Sequence, residues 1–365
     1  MICPNCSTQL KRRQRTGQKC SHCHRRFALD PKLHGRGMHD LRIRRCVDSL
    51  TDGGRLTVTI TQLWYRSRTS THTWRAREAH GVRHWIRRLV TLPVCAGLLV
   101  CWALTHGLLA FLSAAAAVAV LIAAPQCFPY YPARPAGSSV SPSEWHFRRL
   151  MTGQWQPAYG GLPPGVVDDA GTAAPGNAAP KPRRPRAVIL CTDHAVAVFL
   201  AANEIPGRLQ AVLVEADPGA AHDALVDLPG RLPVVVLHDA SALGALLAPL
   251  LRIAHPDRAV VDAGLPVAAV RHRSGVVHCV STVRTPAVAE LRSVARLSEE
   301  DAAWLADGFW SPIAAVPPPR LAALVETAVE RAVAMAAAAG RPGSAPEYGF
   351  LSWPDIPGTK GTPTP

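Results

Sequence analysis

Four short apolar runs in the C-terminal half of the chain alternate with segments of helical periodicity. The runs are RAVILCTD, LQAVLVEAD, LPVVVLHD and RAVVDAG, and the segments between them are AVAVFLAANE, AAHDALVDL and SALGALLAPLLRI. Apolar strands that alternate with helices are typical of a parallel sheet with crossover helices. The pattern therefore predicts an α/β domain with a parallel sheet over residues 186–340.

The longest apolar stretch lies nearer the N-terminus. No charged residue occurs among the 36 residues from Leu89 to Ala124. One straight helix of this length would measure about 54 Å, whereas the hydrocarbon core of a bilayer is about 30 Å thick. The polar break at residues 105–107 divides the stretch into two runs, so residues 83–127 are predicted to form a transmembrane helical hairpin. One tilted span and a re-entrant loop are the alternatives.

Arginines flank this stretch on both sides. They are Arg83, Arg87 and Arg88 before it and Arg134, Arg148 and Arg149 after it. Because positively charged flanks stay on the cytoplasmic side, a hairpin would keep both termini there, whereas a single span would export the C-terminal domain. We therefore expect a multi-pass protein of the cell inner membrane with cytoplasmic N- and C-terminal domains.

Residues 37–82 show a shorter helical pattern. MHDLRIRRCVDSL has near-helical apolar spacing, TDGG ends that helix, RLTVTI alternates as a short strand does, and TQLWYRSRTS continues as a second helix. The order predicts a basic helical module. It fits a fragment of a winged-helix module and equally a spacer domain packed on the N-terminal segment.

Two further segments lack periodicity. Residues 125–185 contain twelve prolines together with Gly, Ala and Ser, and residues 341–365 are rich in Pro and Gly. Such composition is typical of extended tethers. It predicts a Pro-rich linker over residues 128–185 and a disordered tail over residues 341–365.

The distribution of charge along the chain indicates a class of binding partner. The formal net charge is +14, and residues 1–88 hold 20 Lys and Arg against 5 Asp and Glu, while the remainder holds 20 against 21. The excess indicates an anionic partner for residues 1–88, either nucleic acid or anionic lipid. A positive-inside topology signal without a specific ligand explains the same charge.

Four of the ten cysteines form two Cys-x-x-Cys pairs, Cys3 with Cys6 and Cys20 with Cys23. Two such pairs present four thiolates for tetrahedral Zn²⁺, and the residues between them suffice for a short hairpin, so residues 1–36 resemble a zinc ribbon. Four protein ligands leave no open position, which indicates structural zinc; a redox dithiol is the alternative. The other cysteines show no disulfide framework, and the basic start lacks a signal peptide, so we expect a reducing cytosolic environment.

Acidic residues follow the predicted strands. They are Asp193, Asp217, Asp239 and Asp262. The carboxyl ends of parallel strands line the ligand crevice of open α/β sheets, so these acids are predicted to converge there. Each of them could instead cap the helix that follows it. Taken together they are a candidate metal or phosphate site.

The Rossmann-like pattern and the order of its acids resemble a degenerate Toprim domain, most closely that of the topoisomerase VI A subunit. Asp193 stands where this family has its first acid, and HDASALG aligns Asp239 and Gly244 with the family's Asp-x-Asp and its following glycine. Ser241 replaces the second aspartate. The family's three carboxylates hold Mg²⁺ for phosphodiester chemistry, and a hydroxyl weakens such a site. Tyr65 lies in a setting loosely similar to the family's nucleophilic tyrosine, in a preceding winged-helix module.

The predicted architecture is multidomain: a small zinc ribbon, a helical module, a transmembrane hairpin and an α/β Rossmann-like domain. Its composition resembles that of an actinobacterial membrane protein. We expect a membrane-anchored protein whose non-catalytic Toprim-like domain serves binding or scaffolding. One alternative is a Mg²⁺-dependent phosphoryl-transfer enzyme or nuclease using Asp193 and Asp239, with Ser241 as a further candidate. A second alternative is a nucleic-acid-binding regulator that acts through the basic ribbon and whose binding weakens steeply with salt.

Overall fold

The computed structural model describes residues 1–35, 37–171, 182–273, 275–279 and 285–339. They fall into two compact units: one comprises Met1–Thr73 together with the chain from Ser138 onward, and the other comprises Trp74–Gly137. The predicted tail at residues 341–365 lies outside the described residues.

The N-terminal segment contains two similar turns, each closed by an antiparallel bridge. One bridge joins Ile2 with Gln9, and the other joins Lys19 with Arg26. A 3₁₀ segment, Arg12–Gln18, connects the turns. Each turn carries one Cys-x-x-Cys pair, so the fold brings the two pairs of cysteines to face each other.

The helical module begins directly after this segment. Its elements are α1 (Asp40–Leu50), β1 (Val58–Thr59), α2 (Ile60–Ser67) and β2 (Ser70–Trp74). Thr59 caps α2, because its hydroxyl accepts a hydrogen bond from the Gln62 N–H. The fully buried Asp40 carboxylate accepts hydrogen bonds from the N–H groups of Ala28 (2.9 Å) and Leu29 (2.7 Å). These bonds attach the N-terminal segment to α1.

The second unit contains two apolar helices. Its elements are β3 (His80–Gly81), α3 (His84–Leu104), α4 (Leu108–Cys127) and β4 (Tyr130–Tyr131), and β3 pairs with β4. The helices pack against each other, and the Cys95 Sγ lies 3.8 Å from the Ala117 carbonyl oxygen. Among the described residues, α3 is the one helix that is long and apolar enough to cross a membrane, and Leu108–Ala124 is apolar but shorter.

The chain after this unit returns to the helical module. Its elements are β5 (Gly137–Ser141), α5 (Glu144–Leu150), a π turn (Met151–Trp155), α6 (Gln156–Tyr159) and β6 (Val166–Val167). β5 pairs with β2, and β6 pairs in parallel with β1. The predicted linker over residues 128–185 is therefore corrected: residues 137–167 contain regular elements that complete the fold of the module.

One hydrophobic core joins these two parts of the chain. Phe147 is fully buried in it, and the Trp64 indole N–H donates a hydrogen bond of 2.8 Å to the Pro142 carbonyl oxygen. The core includes Ile43, Leu63, Phe147, Leu150, Met151 and Trp155. Residues before and after the apolar helices thus bury each other's apolar side chains.

The α/β domain follows, and its parallel sheet confirms the predicted strands. The elements are β7 (Ala187–Cys191), α7 (His194–Ala202), α8 (Ile205–Arg208), β8 (Ala211–Glu215), α9 (Ala221–Val226), β9 (Val234–Leu237), α10 (Ala242–Ala254) and β10 (Val260–Asp262). The strand order is β10-β9-β7-β8, with all neighbours parallel. β8 lies on one side of β7, and β9 and β10 lie on the other side. The strand order therefore changes direction between β7 and β9.

The last elements pack on the sheet and on α10. They are α11 (Val267–Val270), β11 (His278–Cys279), α12 (Val288–Val294), α13 (Glu299–Ala306), β12 (Phe309–Trp310), a 3₁₀ turn (Ile313–Ala315) and α14 (Pro318–Ala339). β11 and β12 are antiparallel. The 3₁₀ turn contacts both α2 and α7, so the helical module and the α/β domain pack together.

Candidate functional site

The four predicted ligand cysteines lie together. The Sγ atoms of Cys3, Cys6, Cys20 and Cys23 all lie within 4.8 Å of one another. Cys3 is 3.8 Å from Cys23, and Cys6 is 3.8 Å from Cys20, measured between sulfurs. A tetrahedron with Zn–S bonds of about 2.3 Å has sulfur–sulfur separations of about 3.8 Å. The four cysteines could therefore hold a metal ion such as Zn²⁺.

Backbone N–H groups point at two of these sulfurs. The Asn5 N–H lies 3.4 Å from the Cys3 Sγ, and the His22 N–H lies 3.4 Å from the Cys20 Sγ. Such contacts stabilise thiolates and orient them toward a metal. Without a metal, burial raises the pKa of Cys3 to about 12, whereas hydrogen bonding with Thr8 lowers the pKa of Cys6 to about 6. Metal binding must therefore displace protons from this cluster.

A second candidate site lies between β7 and β9, where the strand order along the sheet changes direction. Asp193 follows β7 and Asp239 follows β9, and these strands are neighbours. Crevices at this kind of switch point are where open α/β sheets bind ligands. The structure thus brings together two of the acids that the sequence places at strand ends.

Each polar side chain of this edge already has a structural partner. Asp193 caps α7 by accepting a hydrogen bond of 3.0 Å from the Val196 N–H, and Asp239 accepts one of 2.8 Å from the Ile313 N–H. Ser241 caps α10 by accepting from the Gly244 N–H at 3.0 Å. A side chain at Gly244 would put its Cβ 2.7 Å from the His238 Nδ1, so this turn requires glycine. The capping role that we considered for each acid is confirmed for Asp193.

The two carboxylates influence each other's protonation. Burial, and then the negative charge of Asp239, raise the pKa of Asp193 to about 7. Burial also raises the pKa of Asp239. Burial disfavours the charged form of a carboxylate and outweighs the opposing charge of His238, so these acids hold a proton more tightly than acids in water do. At neutral pH the pair therefore carries less than its full negative charge.

A third ligand for a metal does not join this pair within the described residues. There, the cysteine cluster is the one place where three or more metal-ligating side chains meet. Asp262, the acid after β10, binds elsewhere: its Oδ1 lies 3.0 Å from the His238 Nε2 and accepts from the Gly264 N–H. This edge therefore offers two carboxylates, and two bind Mg²⁺ less well than three do.

Tyr65 lies on the same side of the domain as the acid pair. Burial, and then the charges of Asp193, Glu144 and Asp239, raise the pKa of Tyr65 far above its usual value. The Tyr65 ring lies 6.0 Å from the His278 ring, edge to face, and the Arg68 guanidinium lies 4.9 Å from its centre. Sequence reasoning placed Tyr65 only loosely and missed Arg68 and His278, because no local pattern marks residues that meet across more than 200 positions.

A network of ion pairs connects the module to the α/β domain. Arg148 pairs with Glu144, Asp168 and Asp169, and it donates a hydrogen bond of 2.9 Å to the Thr61 hydroxyl. His194 contacts the Asp169 carbonyl oxygen and the Glu215 carboxylate, each at 2.8 Å. The acidic pair Asp168-Asp169 was the one sequence signal for this network. The network fixes the module against the first strand end of the sheet.

A basic cleft lies on the helical module. Its volume is about 380 Å³, and it is lined by Gly37, His39, Arg42, Arg45, Cys46 and Arg66. The Arg42 side chain is held in place by a hydrogen bond of 3.2 Å to the Arg68 carbonyl oxygen. No lining residue is acidic. The excess positive charge of residues 1–88 is thus partly concentrated in one concave surface.

Comparisons with known proteins add no assignment. No protein-family model matches the chain, and neither does any curated protein or solved structure. The likeness of residues 186–262 to the Toprim fold therefore stays a prediction. The structure contains the four-cysteine cluster of the predicted zinc ribbon and, separately, the α/β sheet.

Proposed function

We propose that the protein is a membrane-anchored zinc-ribbon protein whose Rossmann-like domain serves binding or scaffolding on the cytoplasmic face. One observation carries the proposal: residues before and after the apolar helices share one core. The proposal assigns structural Zn²⁺ to Cys3, Cys6, Cys20 and Cys23, and it assigns no catalytic step to the α/β domain.

The shared core supports a two-helix anchor. Val58 pairs with Val166, and the Thr57 N–H donates a hydrogen bond of 2.8 Å to the Asn203 side chain. A single membrane crossing between residues 73 and 138 would put these partners on opposite sides of the bilayer. An even number of crossings keeps them together, so a hairpin of α3 and α4 agrees with the fold and one tilted span does not.

The surface of the two helices also supports a lipid environment. Large apolar side chains along them are exposed in the protein alone, among them Leu89, Leu92, Val100, Phe111 and Leu121. Exposed apolar surface of this extent marks a membrane or protein contact. α3, with 21 residues, is long enough to cross the hydrocarbon core, and the apolar part of α4, Leu108–Ala124, lies at the short end of the spanning range.

The basic cleft supports an anionic partner. Arg42, Arg45 and Arg66 line it without an acidic residue among them. Guanidinium groups bind phosphates with two parallel hydrogen bonds. The cleft therefore favours a phosphate-bearing partner, and both anionic lipid and nucleic acid present that group.

The topology is testable with tagged protein in intact bacterial spheroplasts. We expect epitope tags at both termini to resist external protease, and a His106→Cys variant to react with a membrane-impermeant maleimide, because residues 105–107 form the turn between α3 and α4. The unsubstituted chain, which keeps Cys46 on the opposite side, is the matched control. Cleavage of one tag alone would refute the hairpin, and an unlabelled His106→Cys with both tags protected would mean that the helices do not cross.

A phosphoryl-transfer function is the second candidate, and the elevated pKa of Asp193 beside Asp239 favours it. Strongly shifted pKa values, such as the value near 7 for Asp193, cluster at functional sites. Against it stands the absence of a third carboxylate among the described residues. In this candidate Asp193 and Asp239 would bind Mg²⁺, and the Ser241 hydroxyl would be its weakest ligand.

The variants Asp193→Asn and Asp239→Asn distinguish the two candidates. The pKa of Asp193 is raised from 3.8 to about 7. Between these values the folded state keeps a proton that the unfolded chain has released, so stability falls as the pH rises. Asn can still cap α7, so Asp193→Asn should flatten this slope and raise the free energy of unfolding at pH 7 by about 2–4 kcal/mol.

The same proteins are then titrated with Mn²⁺ while their thermal stability is followed. Under the scaffold proposal Mn²⁺ leaves the melting temperature of the wild type and of both variants unchanged. A rise in the wild type that Asp239→Asn abolishes would instead establish a metal site at the acid pair and favour the enzyme. The pH slope and the metal response are independent readouts, so a variant that merely folds poorly is recognised.

A further inference from the structure

Two segments that directly flank the apolar helices form a short antiparallel ribbon. It comprises residues 77–81 and 130–134, in which β3 pairs with β4 and a further bridge joins Arg77 with Arg134. Each of these two arginines donates its backbone N–H to the carbonyl oxygen of the other, and both hydrogen bonds measure 2.8 Å. Residues paired in this way extend their side chains from the same face of the ribbon. The ribbon therefore places two arginine side chains beside each other.

The charge of this pair is not balanced by a carboxylate in the described parts of the chain. The ion pairs there include neither Arg77 nor Arg134. The whole second unit, residues 74–137, contains six arginines and one acid, Glu78. Like charges that lie directly opposite each other in an antiparallel pair are destabilising. An anion from outside the chain would therefore relieve the repulsion between the two arginines.

Aromatic rings hold both guanidinium groups in place. The Arg134 guanidinium lies 4.1 Å from the centre of the Trp74 ring, whose indole N–H donates a hydrogen bond of 3.0 Å to the Pro135 carbonyl oxygen. The Arg77 guanidinium lies 5.0 Å from the centre of the Tyr131 ring. Both arginine side chains are exposed. A guanidinium that stacks on a ring keeps the N–H groups along its edge available to an oxyanion, so the pair is prepared for one.

Exposed apolar surface begins directly beside the ribbon. The His84 ring at the start of α3 lies 5.0 Å from the Tyr130 ring of β4, so the ribbon contacts the helix. Trp85 and Leu89 in the first turns of α3 are exposed, and so is Phe128 just after α4. Aromatic side chains are enriched where a membrane protein passes the lipid headgroups. A nucleic acid offers phosphates without an apolar layer, whereas a phospholipid offers both, so the surroundings favour a lipid.

We propose that Arg77 and Arg134 together bind the phosphate of one anionic phospholipid, whose acyl chains lie against the apolar side chains of α3 and α4. The two non-bridging oxygens of the phosphate accept hydrogen bonds from the two guanidinium groups. The other arginines of the unit add positive potential, which favours an anionic headgroup over a zwitterionic one that carries its own cation. The proposal rests on the proposed membrane anchor and adds a lipid class to it. The basic cleft belongs to the other unit and is a separate site.

Lipid binding to the full chain, purified in a non-ionic detergent, tests the proposal. The protein is titrated with dioleoyl phosphatidylglycerol or with dioleoyl phosphatidylcholine, and native mass spectrometry counts the lipids that it retains. We expect one phosphatidylglycerol to bind at least about tenfold more tightly than phosphatidylcholine. Arg77→Gln and Arg134→Gln should each weaken its binding about tenfold. Because both side chains bind one phosphate, the double variant should lose little more than either single variant.

Arg88→Gln is the matched control, because Arg88 is an exposed residue of α3 outside the ribbon and its loss removes the same charge from the same unit. It should weaken the binding of phosphatidylglycerol by less than about fivefold, since it acts through the long-range potential alone. Its effect should multiply with that of Arg77→Gln. Unchanged retention of phosphatidylcholine shows that each variant still folds.

Equal binding of the two lipids by the wild type would overturn the proposal. Effects of Arg77→Gln and Arg134→Gln that multiply in the double variant would also overturn it, as would an equally large effect of Arg88→Gln. Displacement of phosphatidylglycerol by inorganic phosphate or a short DNA oligonucleotide at a similar concentration would favour a soluble anion instead. Incorporation into phosphatidylcholine nanodiscs tests the anchor separately. A chain that enters them without preferring phosphatidylglycerol keeps the anchor and loses this site, whereas a chain that does not enter loses both.

Discussion

Replacing Cys20 by serine is expected to abolish zinc binding and to unfold the N-terminal segment up to about residue 26. The Cys20 side chain is fully buried, and its sulfur is close to the N–H groups of His22 and Cys23. Structural zinc contributes about 10–16 kcal/mol of apparent binding energy in zinc-finger peptides, and a hydroxyl is a poor replacement for a thiolate. The zinc content of purified protein, measured by mass spectrometry, should fall from one ion per chain to a trace.

Cys46→Ser is the matched control, because Cys46 lies on α1 outside the cluster and should leave the zinc content at one ion per chain. Limited proteolysis should cut Cys20→Ser between the two cysteine pairs while the rest of the chain stays protected, since Ala28 and Leu29 belong to the core of the module. Acid should release the zinc as well, because the buried Cys3 thiol takes up a proton readily. A wild-type protein that contains no zinc but forms disulfides reversibly would support the redox dithiol instead.

The parallel sheet was predictable because its strands are continuous apolar runs bounded by acids. Val188, Ile189 and Leu190 of β7 have neighbours on both sides and are buried on both faces, which is why no polar residue interrupts them. The order of the strands was not predictable in the same way. It depends on the crossover that returns the chain from β8 to β9, and that crossover is what makes Asp193 and Asp239 neighbours.

The linker prediction failed at residues 144–159 because it relied on the high proline content of the segment and overlooked the regular spacing of its apolar residues. Phe147, Leu150, Met151 and Trp155 recur at intervals of three, one and four positions, which is the spacing of one helix face. Ser143 precedes them and caps α5 through the His146 N–H. The sequence pattern therefore predicts a capped helix with an apolar face, although the overall composition of the segment is typical of a linker.

The contacts around Tyr65 could not be predicted from local sequence patterns. Arg68 contacts His278 at 3.3 Å between nitrogens, and burial followed by the charge of Arg68 lowers the pKa of His278 to about 4. These residues meet because the 3₁₀ turn after β12 packs on α2. The structure thereby assigns to α2 a role that the sequence did not reveal, which is to cover the carboxyl edge of the α/β domain.

Phe147→Ala is expected to destabilise the whole first unit by about 3–5 kcal/mol, the usual cost of removing a buried aromatic ring from a core. Phe147 is fully buried and lies in the same core as Ile43 and Leu63, which precede the apolar helices in the chain. Urea unfolding of the full chain, followed by tryptophan fluorescence, measures the change.

Trp145→Ala is the matched control on the same helix, because its side chain is 65% exposed. It contacts Arg149 at 4.6 Å from the ring centre, a contact worth about 0.5–1 kcal/mol at an exposed site, so its effect should stay below that of Phe147→Ala. Equal effects of the two variants would mean that residues 144–150 behave as a tether. A large effect of Phe147→Ala alone would mean that the shared core holds together the segments that precede and follow the apolar helices.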